Sequence, residues 1–444
     1  MSTDDALVGV QQVEGPNPVR PSRCHRSTAR GARGVTPDRD VPVGGAGLTD
    51  RPARRSSAAL PVVVSVALAV TATFVVACGG SDVSGERSDA VKSVVAGALA
   101  EPVGGVVALV RFPDGQTVLA WHGDADEGRP MRGDDSFRIA SLTKTYIAAL
   151  ILSLEDDGVL SVDDPVADHL PDLGIDERIT IRHLLTHSSG LADHWAPSLE
   201  ASERCAPCSF TPDELVALID VAHPGFDPGS HWSYSNTGYV ILGMLVEAVT
   251  GNELADELRH RVLEPAGVPQ SYLIGLEPAL VEPVRGYWLI EGTTPVAYPH
   301  SYDRLMTRVD AAGSLVATAP DIATFLDALF GGRIVSDDRV SEMIEVVPRT
   351  PEGGGEPIRF GFGIHHPVEG DWWMHGGGIP GFRSAYLRDP TTDATVVVLT
   401  NCSGCLDADG TALDVIGLAT GLMELALSEP GGESARGSQA PPAR

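Results

Sequence analysis

The chain has 444 residues, enough for two or three domains, and its 43% hydrophobic content is ample for a large buried core. A formal net charge of −28 excludes nucleic acid and anionic membrane surfaces as partners of the folded body. Residues 1–57 carry nine Arg against six acidic residues, are rich in Pro, Gly and Ser without apolar periodicity, and read as a disordered leader. Ala58 to Ala77 is uncharged, long enough to span a bilayer, and preceded by Arg51, Arg54 and Arg55, which predicts a cytoplasmic N-terminal side. One globular domain is expected over 87–428, and the Pro, Gly, Ser and Arg tail 429–444 is expected to be disordered.

The apolar stretch runs into Val75-Val76-Ala77-Cys78-Gly79-Gly80, which resembles the lipobox of bacterial lipoprotein signal peptides. Segment 58–78 is therefore expected to be a cleaved signal with a lipid on Cys78, or an uncleaved anchor; a start downstream of Met1 is a third option. Each puts the domain outside the cytoplasmic membrane. In an exported compartment Cys205, Cys208, Cys402 and Cys405 favour two local disulfides or a cross-pairing over a four-thiolate zinc site, and no metal is expected.

In chain order the domain opens with a helix over Asp89 to Ala100. A hairpin follows, Val106 to Phe112 and Thr117 to Gly123, around Pro113-Asp114-Gly115. Phe137 to Ala140 reads as a short extended approach to a helix from Leu142 to Leu154, with Ser141 at its N-terminus and a stop near Asp157-Gly158. Residues of about 160–280 read as helices and turns, including a capping box at Thr211-Pro212-Asp213-Glu214 opening a helix to about Val221. Tyr234-Ser235-Asn236 lies before a helix from Gly238 to Val249. Then come a helix from Asp321 to Phe330, strands at Phe360 to Ile364, Trp372 to His375, Phe382 to Arg388 and Thr395 to Leu399, and a last helix from Thr411 to Leu427. Strands at both ends and helices between predict a mixed α/β fold: one antiparallel sheet flanked by helices, with an inserted all-helical domain and a site in the groove between them.

Three stretches carry chemistry. Ser141 and Lys144 are three apart and share a helix face, so a hydroxyl nucleophile stands beside a candidate base. Most serines at helix starts only cap the helix, but a capping box wants Glu or Gln where Lys144 stands, and the helix dipole disfavours a cation there. A local rule broken without compensation marks function. Tyr234 and Asn236 put a phenol and an amide on one turn, able to serve as a proton-transfer group and a carbonyl holder. His375-Gly376-Gly377-Gly378 follows a strand, where small residues admit a substrate backbone and leave an N–H free as an oxyanion donor.

Other motifs fail in context. Gly376 to Gly381 matches a dinucleotide fingerprint, but a strand-like pattern follows it instead of a helix. His183 and His187 are spaced like zinc-helix ligands without the Glu, so they read as core and loop histidines. No G-x-S-x-G elbow is present.

Together, Phe-Arg-Ile-Ala-Ser-Leu-Thr-Lys from Phe137, Leu-Leu-Thr-His-Ser-Ser-Gly-Leu from Leu184, Tyr-Ser-Asn-Thr-Gly-Tyr from Tyr234 and His-Gly-Gly from His375 resemble the serine β-lactamase and DD-peptidase superfamily, class C-like branch, over about Asp89 to Leu427. The resemblance implies that Ser141 is acylated and that Lys144 and Tyr234 exchange its proton. It further implies that Asn236 orients the substrate amide and that the N–H groups of Ser141 and Gly378 form the oxyanion hole. No cofactor is implied. The expected substrate is a small molecule or peptide: a D-Ala-D-Ala peptide, an ester or a β-lactam. His375 stands where many members have Lys, and Gly377 where they have Thr, which puts DD-carboxypeptidase-like or esterase-like hydrolysis ahead of β-lactamase activity. A His there predicts attraction for carboxylates that strengthens as pH drops from 8 to about 6. The competing class is a non-catalytic, membrane-tethered binding protein. Oligomeric state and the choice of water or amine as acyl acceptor are left open.

Overall fold

The apolar runs around Pro113-Asp114-Gly115 fold into the expected hairpin, β1 (Gly105–Arg111) with β2 (Thr117–Asp126), and Gly115 takes a left-handed φ of +85° in the turn. A computed structural model describes residues 83–100, 103–203, 209–288, 296–297, 309–367, 370–407 and 410–428. The leader, Ala58 to Ala77, Cys78, Cys205, Cys208 and the tail lie outside these residues.

A short β3 (Arg129–Pro130) lies beside β2, and three strands come from the C-terminal part: β4 (Trp373–Ile379), β5 (Phe382–Arg388) and β6 (Thr395–Thr400). Their order is β3-β2-β1-β6-β5-β4, with every neighbouring pair antiparallel. The sheet is thus assembled from both ends of the chain, as expected. Val107, Leu109, Val397 and Leu399 enter one core, while Val106, Ala108, Val110, Val396 and Val398 enter another. Burial on both faces explains why these strands are apolar without interruption.

Five longer helices matter here: α1 (Val83–Ala96), α2 (Thr143–Asp156), α3 (Asn236–Thr250), α4 (Ala319–Phe330) and α5 (Val415–Leu427). α1 and α5 supply residues to the core on one face, α2, α3 and α4 to the core on the other. α5 starts later than Thr411 because the Asp414 side chain caps it, accepting from the Ile416 N–H at 3.0 Å. Around α3, short helices fill the stretch of about 160–280, which is not the all-helical insert expected: Tyr272–Leu273 is a strand that pairs with Val316 and Leu315. The capping box at Thr211 is present, but its helix ends at Val216, where Leu218 and Ile219 bond three residues back and tighten the last turn.

Asn401 ties the two ends together. Its Oδ1 accepts from the Gly105 N–H at 2.6 Å, and its Nδ2 donates to the carbonyls of Asp124, Ala125 and Arg285. Cys402 and Cys405 form a local disulfide beside it, with Cα atoms 5.7 Å apart.

One expected strand is absent. Phe360 to Ile364 forms only isolated pairings, because Gly363 has φ +61° and a Cβ there would stand 2.6 Å from the Lys144 carbonyl. The segment is a loop laid against α2, and its apolar side chains pack down onto the core instead of alternating.

Candidate active site

Short-range steric constraints bring the nucleophile to the sheet edge. Phe137 and Arg138 pair with Ala317 and Val316, and the next turn, Ala140–Leu142, precedes α2. Ala140 takes φ +50°, a strained value for a residue with a Cβ, directly before Ser141. Two hydroxyls fix the turn. Thr143 Oγ1 donates to the Ala140 carbonyl at 2.7 Å, and Ser384 Oγ on β5 donates to the Ile139 carbonyl at 2.7 Å. Ser141 itself is half-buried.

The three residues singled out for proton transfer converge. Ser141 Oγ lies 3.2 Å from Lys144 Nζ and accepts from the Tyr234 hydroxyl at 2.9 Å. Lys144 is fully buried, and Nζ also donates to Asn236 Oδ1 at 2.8 Å and to the Ala312 carbonyl at 2.6 Å. Desolvation lowers the amine pKa from 10.5 to about 7, partly opposed by the Asp193 carboxylate. Burial pushes the Tyr234 phenol well above its ordinary value. The raised pKa agrees with the phenol keeping its proton and donating it to Ser141 Oγ.

Asn236 occupies the first turn of α3, and its amide is already engaged inside the site: Oδ1 faces Lys144 and Nδ2 donates to both Asp193 oxygens at 3.0 and 3.3 Å. Asp193 was not legible in the sequence, because it sits in a loop with no motif of its own. Nor was the turn Asp310–Ala312 that presents the Ala312 carbonyl; Asp310 there is buried, has φ +37°, and burial raises its carboxyl to about 6.

The glycines after His375 lie on β4, the last strand of the sheet. Met374 exchanges both backbone hydrogen bonds with His365 on the outer side, so strand alternation turns the backbone groups of Gly376 and Gly378 outward as well. Gly377 faces the nucleophile turn so closely that a Cβ would stand 2.3 Å from Ser384 Oγ and 2.5 Å from the Ile139 carbonyl. No side chain has room at residue 377; counted from His375, the Thr place of the Lys-Thr-Gly motif falls on Gly376 instead, where a Cβ would meet only the Ile416 side chain at 3.0 Å.

His375 departs from the expectation placed on it. It is buried, its Nδ1 donates to the Gly376 carbonyl at 2.7 Å, and Nε2 finds no hydrogen-bond partner among the described residues. Burial, aided by Lys144 nearby, lowers its pKa to about 3. A ring neutral throughout pH 6–8 adds no charge for a carboxylate, so the predicted strengthening toward pH 6 is withdrawn. His183 and His187 are structural: His183 Nδ1 accepts from the Thr180 N–H, and His187 is buried. No group of three or more His, Cys, Asp or Glu able to hold a metal occurs among the described residues.

Gly377→Ala is expected to slow acylation of Ser141 by about 100-fold, the scale of a displaced nucleophile. Gly376→Ala, which meets only the end of the Ile416 side chain at 3.0 Å, should stay within a few-fold. Equal rates in stopped-flow acylation would contradict this account. Binding of a carboxylate-bearing inhibitor to His375 wild type and His375→Gln, measured by calorimetry from pH 8 to 6, should show no His375-dependent rise; such a rise would mean that the imidazole is charged.

The chain is similar in sequence and in fold to known proteins. The profile of the Beta-lactamase family matches residues 91–420. Penicillin-binding protein 4* of Bacillus subtilis is 29% identical over 63% of this chain, and the chain spans 64% of that protein's length, just under two thirds. Esterase EstB of Burkholderia gladioli is 36% identical over 61% of this chain and 72% of its own. The crystal structure of D-amino acid amidase from Ochrobactrum anthropi SV3 complexed with L-phenylalanine amide superimposes with a TM-score of 0.66 at 31% identity, over 77% of this chain and 98% of the other. With a fold and family profile that agree over most of its length, the chain belongs to the Beta-lactamase family of the serine β-lactamase and transpeptidase superfamily.

Proposed function

We propose that this chain is a serine hydrolase working through an acyl-enzyme on amides or esters, in the manner of a DD-peptidase, esterase or D-aminopeptidase. The observation that carries the reading is Ser141 Oγ held between an amine at 3.2 Å and a phenol at 2.9 Å, with the amine pKa near 7. When Lys144 is uncharged, its two N–H bonds go to Asn236 Oδ1 and the Ala312 carbonyl, which leaves the nitrogen lone pair for the Ser141 hydroxyl. Ser141 Oγ then attacks the carbonyl carbon while its proton passes to Lys144. The Tyr234 hydroxyl protonates the leaving amine or alcohol and is reprotonated from Lys144. A water deprotonated along the same route releases the acid and regenerates Ser141. The N–H groups of Ser141 and Gly378 are the proposed oxyanion donors, supported by the outward set of Gly378 on the edge strand.

Charge narrows the substrate class. His375 is neutral, and the half-buried Asp193 adds a negative charge beside Asn236, with hydrogen-bonding capacity left after its bonds to Asn236 and the Trp195 N–H. This favours substrates that are neutral or carry a free amine near the scissile bond over those ending in a carboxylate. Within the proposal, aryl esters and D-aminoacyl amides rank ahead of D-Ala-D-Ala peptides and β-lactams. That ranking revises the sequence-based preference for a DD-carboxypeptidase.

Export is part of the proposal and rests on sequence alone, namely the Arg-flanked apolar stretch 58–77 and Cys78. Among the described residues no helix is long and apolar enough to cross a membrane.

A protein beginning after Cys78 should turn over a short-chain aryl ester and a D-aminoacyl amide faster than a D-Ala-D-Ala peptide or a chromogenic cephalosporin, and label at Ser141 with a fluorescent penicillin. Its acylation rate should rise with pH through about 7, because only the uncharged amine accepts the proton. Tyr234→Phe and Lys144→Arg should each cost about 10²–10⁴-fold. No turnover and no label with any probe would favour the binding-protein reading. For the tether, Cys78→Ser in the full chain should release the protein from membranes on fractionation; unchanged membrane retention together with an unshortened N-terminus would point to an uncleaved anchor.

A further inference from the structure

The residues flanking the phenol are held by one side chain that the mechanism does not use. His187 follows the short helix Ile181–Leu185, is buried, and takes φ +55°, a left-handed value uncommon outside glycine that Asn, Asp and His adopt more often than other residues. Its carbonyl accepts from the Ser233 N–H at 2.9 Å, and its Nδ1 accepts from the Ser235 N–H at 3.2 Å. Tyr234 lies between those two anchors. The imidazole also lies against the phenol ring, with centroids 4.3 Å apart, while Phe360 packs against the imidazole at 4.8 Å. Because Nδ1 accepts, the ring proton is on Nε2.

We infer that His187 is a positioning residue: it fixes the backbone on both sides of Tyr234 and so sets the phenol against Ser141 Oγ. The inference rests on the serine-hydrolase reading above. Its left-handed backbone aims the carbonyl and the ring at the same segment. The strain at residue 187 is thus explained by what it holds in place. Ser141 and Lys144 are set by α2, Tyr234 by the loop before α3, and His187 joins the second to a fixed point in the core.

The test compares His187→Leu, which keeps bulk but loses the acceptor, with His187→Asn, which keeps an acceptor near Nδ1 and tolerates the left-handed backbone. Each is made with Tyr234 and with Tyr234→Phe, and acylation by an aryl ester is measured per folded molecule alongside melting temperature. His187→Leu should slow acylation about 10- to 100-fold, the scale of a misplaced catalytic group, and His187→Asn should restore the rate to within about threefold of wild type. In the Tyr234→Phe background the Leu penalty should shrink to less than about threefold, because a residue acting through the hydroxyl has nothing left to position. An equal penalty in both backgrounds overturns the inference, as does His187→Asn acylating as slowly as His187→Leu at an unchanged melting temperature. If the Leu variant does not fold, the Asn variant decides alone: near-wild-type rate supports the inference, and a native melting temperature with a 10-fold or greater loss overturns it. Acylation that survives Ser141→Ala would instead remove the hydrolase reading itself.

Discussion

An amine with no exposed surface sits at the centre of this protein, and the rest of the site follows from the need to keep it there. Lys144 is enclosed by α2, α3 and the Asp310–Ala312 turn, and burial alone makes its charged form unfavourable. The three acceptors around Nζ satisfy the ammonium, and two of them satisfy the neutral amine with one lone pair left over. The amine thus accommodates both protonation states without leaving one of its own N–H groups unpaired. Asp193 sets the balance: through Asn236 it supplies enough negative potential to keep the pKa near 7, where full desolvation would carry it lower.

The same enclosure accounts for the two neutral histidines. His187 and His375 both lie within electrostatic reach of Lys144, and each is pushed toward its neutral form by burial and by that neighbour. Three basic groups share a small volume, and only the lysine titrates near neutrality. In the proposed mechanism, a proton drawn from Ser141 therefore passes to Lys144 and not to either imidazole.

How much of this was legible in the sequence depends on how local each constraint is. The nucleophile turn, the hairpin and the capping box at Thr211 are specified by residues a few positions apart, and they appeared where the residues put them. Ser141, Lys144 and Tyr234 were found because one local rule is broken and because the motifs resemble a known family. Asp193 and Asp310 were missed because their role exists only after distant segments meet; neither breaks a pattern in its own neighbourhood. Phe360 to Ile364 was misread for the opposite reason. Its apolar residues alternate like a strand, but Gly363 lets the chain approach the Lys144 carbonyl of α2, and Gly361 the Met343 carbonyl, more closely than a ladder allows. The charge state of His375 was misjudged because a one-dimensional reading assigns the solution pKa to a ring that the fold has desolvated.

The pairing of β1 with β6 has a consequence for how the molecule is made. The Thr400 hydroxyl meets the Gly105 carbonyl across 295 positions of sequence, and Asn401 binds the same end. The first strands to leave the ribosome must wait for the last ones, and such non-local closure is slow and cannot finish during synthesis. An incomplete chain would already carry its serine and lysine but not the outer glycine strand beside them. The hydrolytic apparatus becomes whole only when the final segment joins the sheet, so a chain still being translated holds the parts of an enzyme without being one.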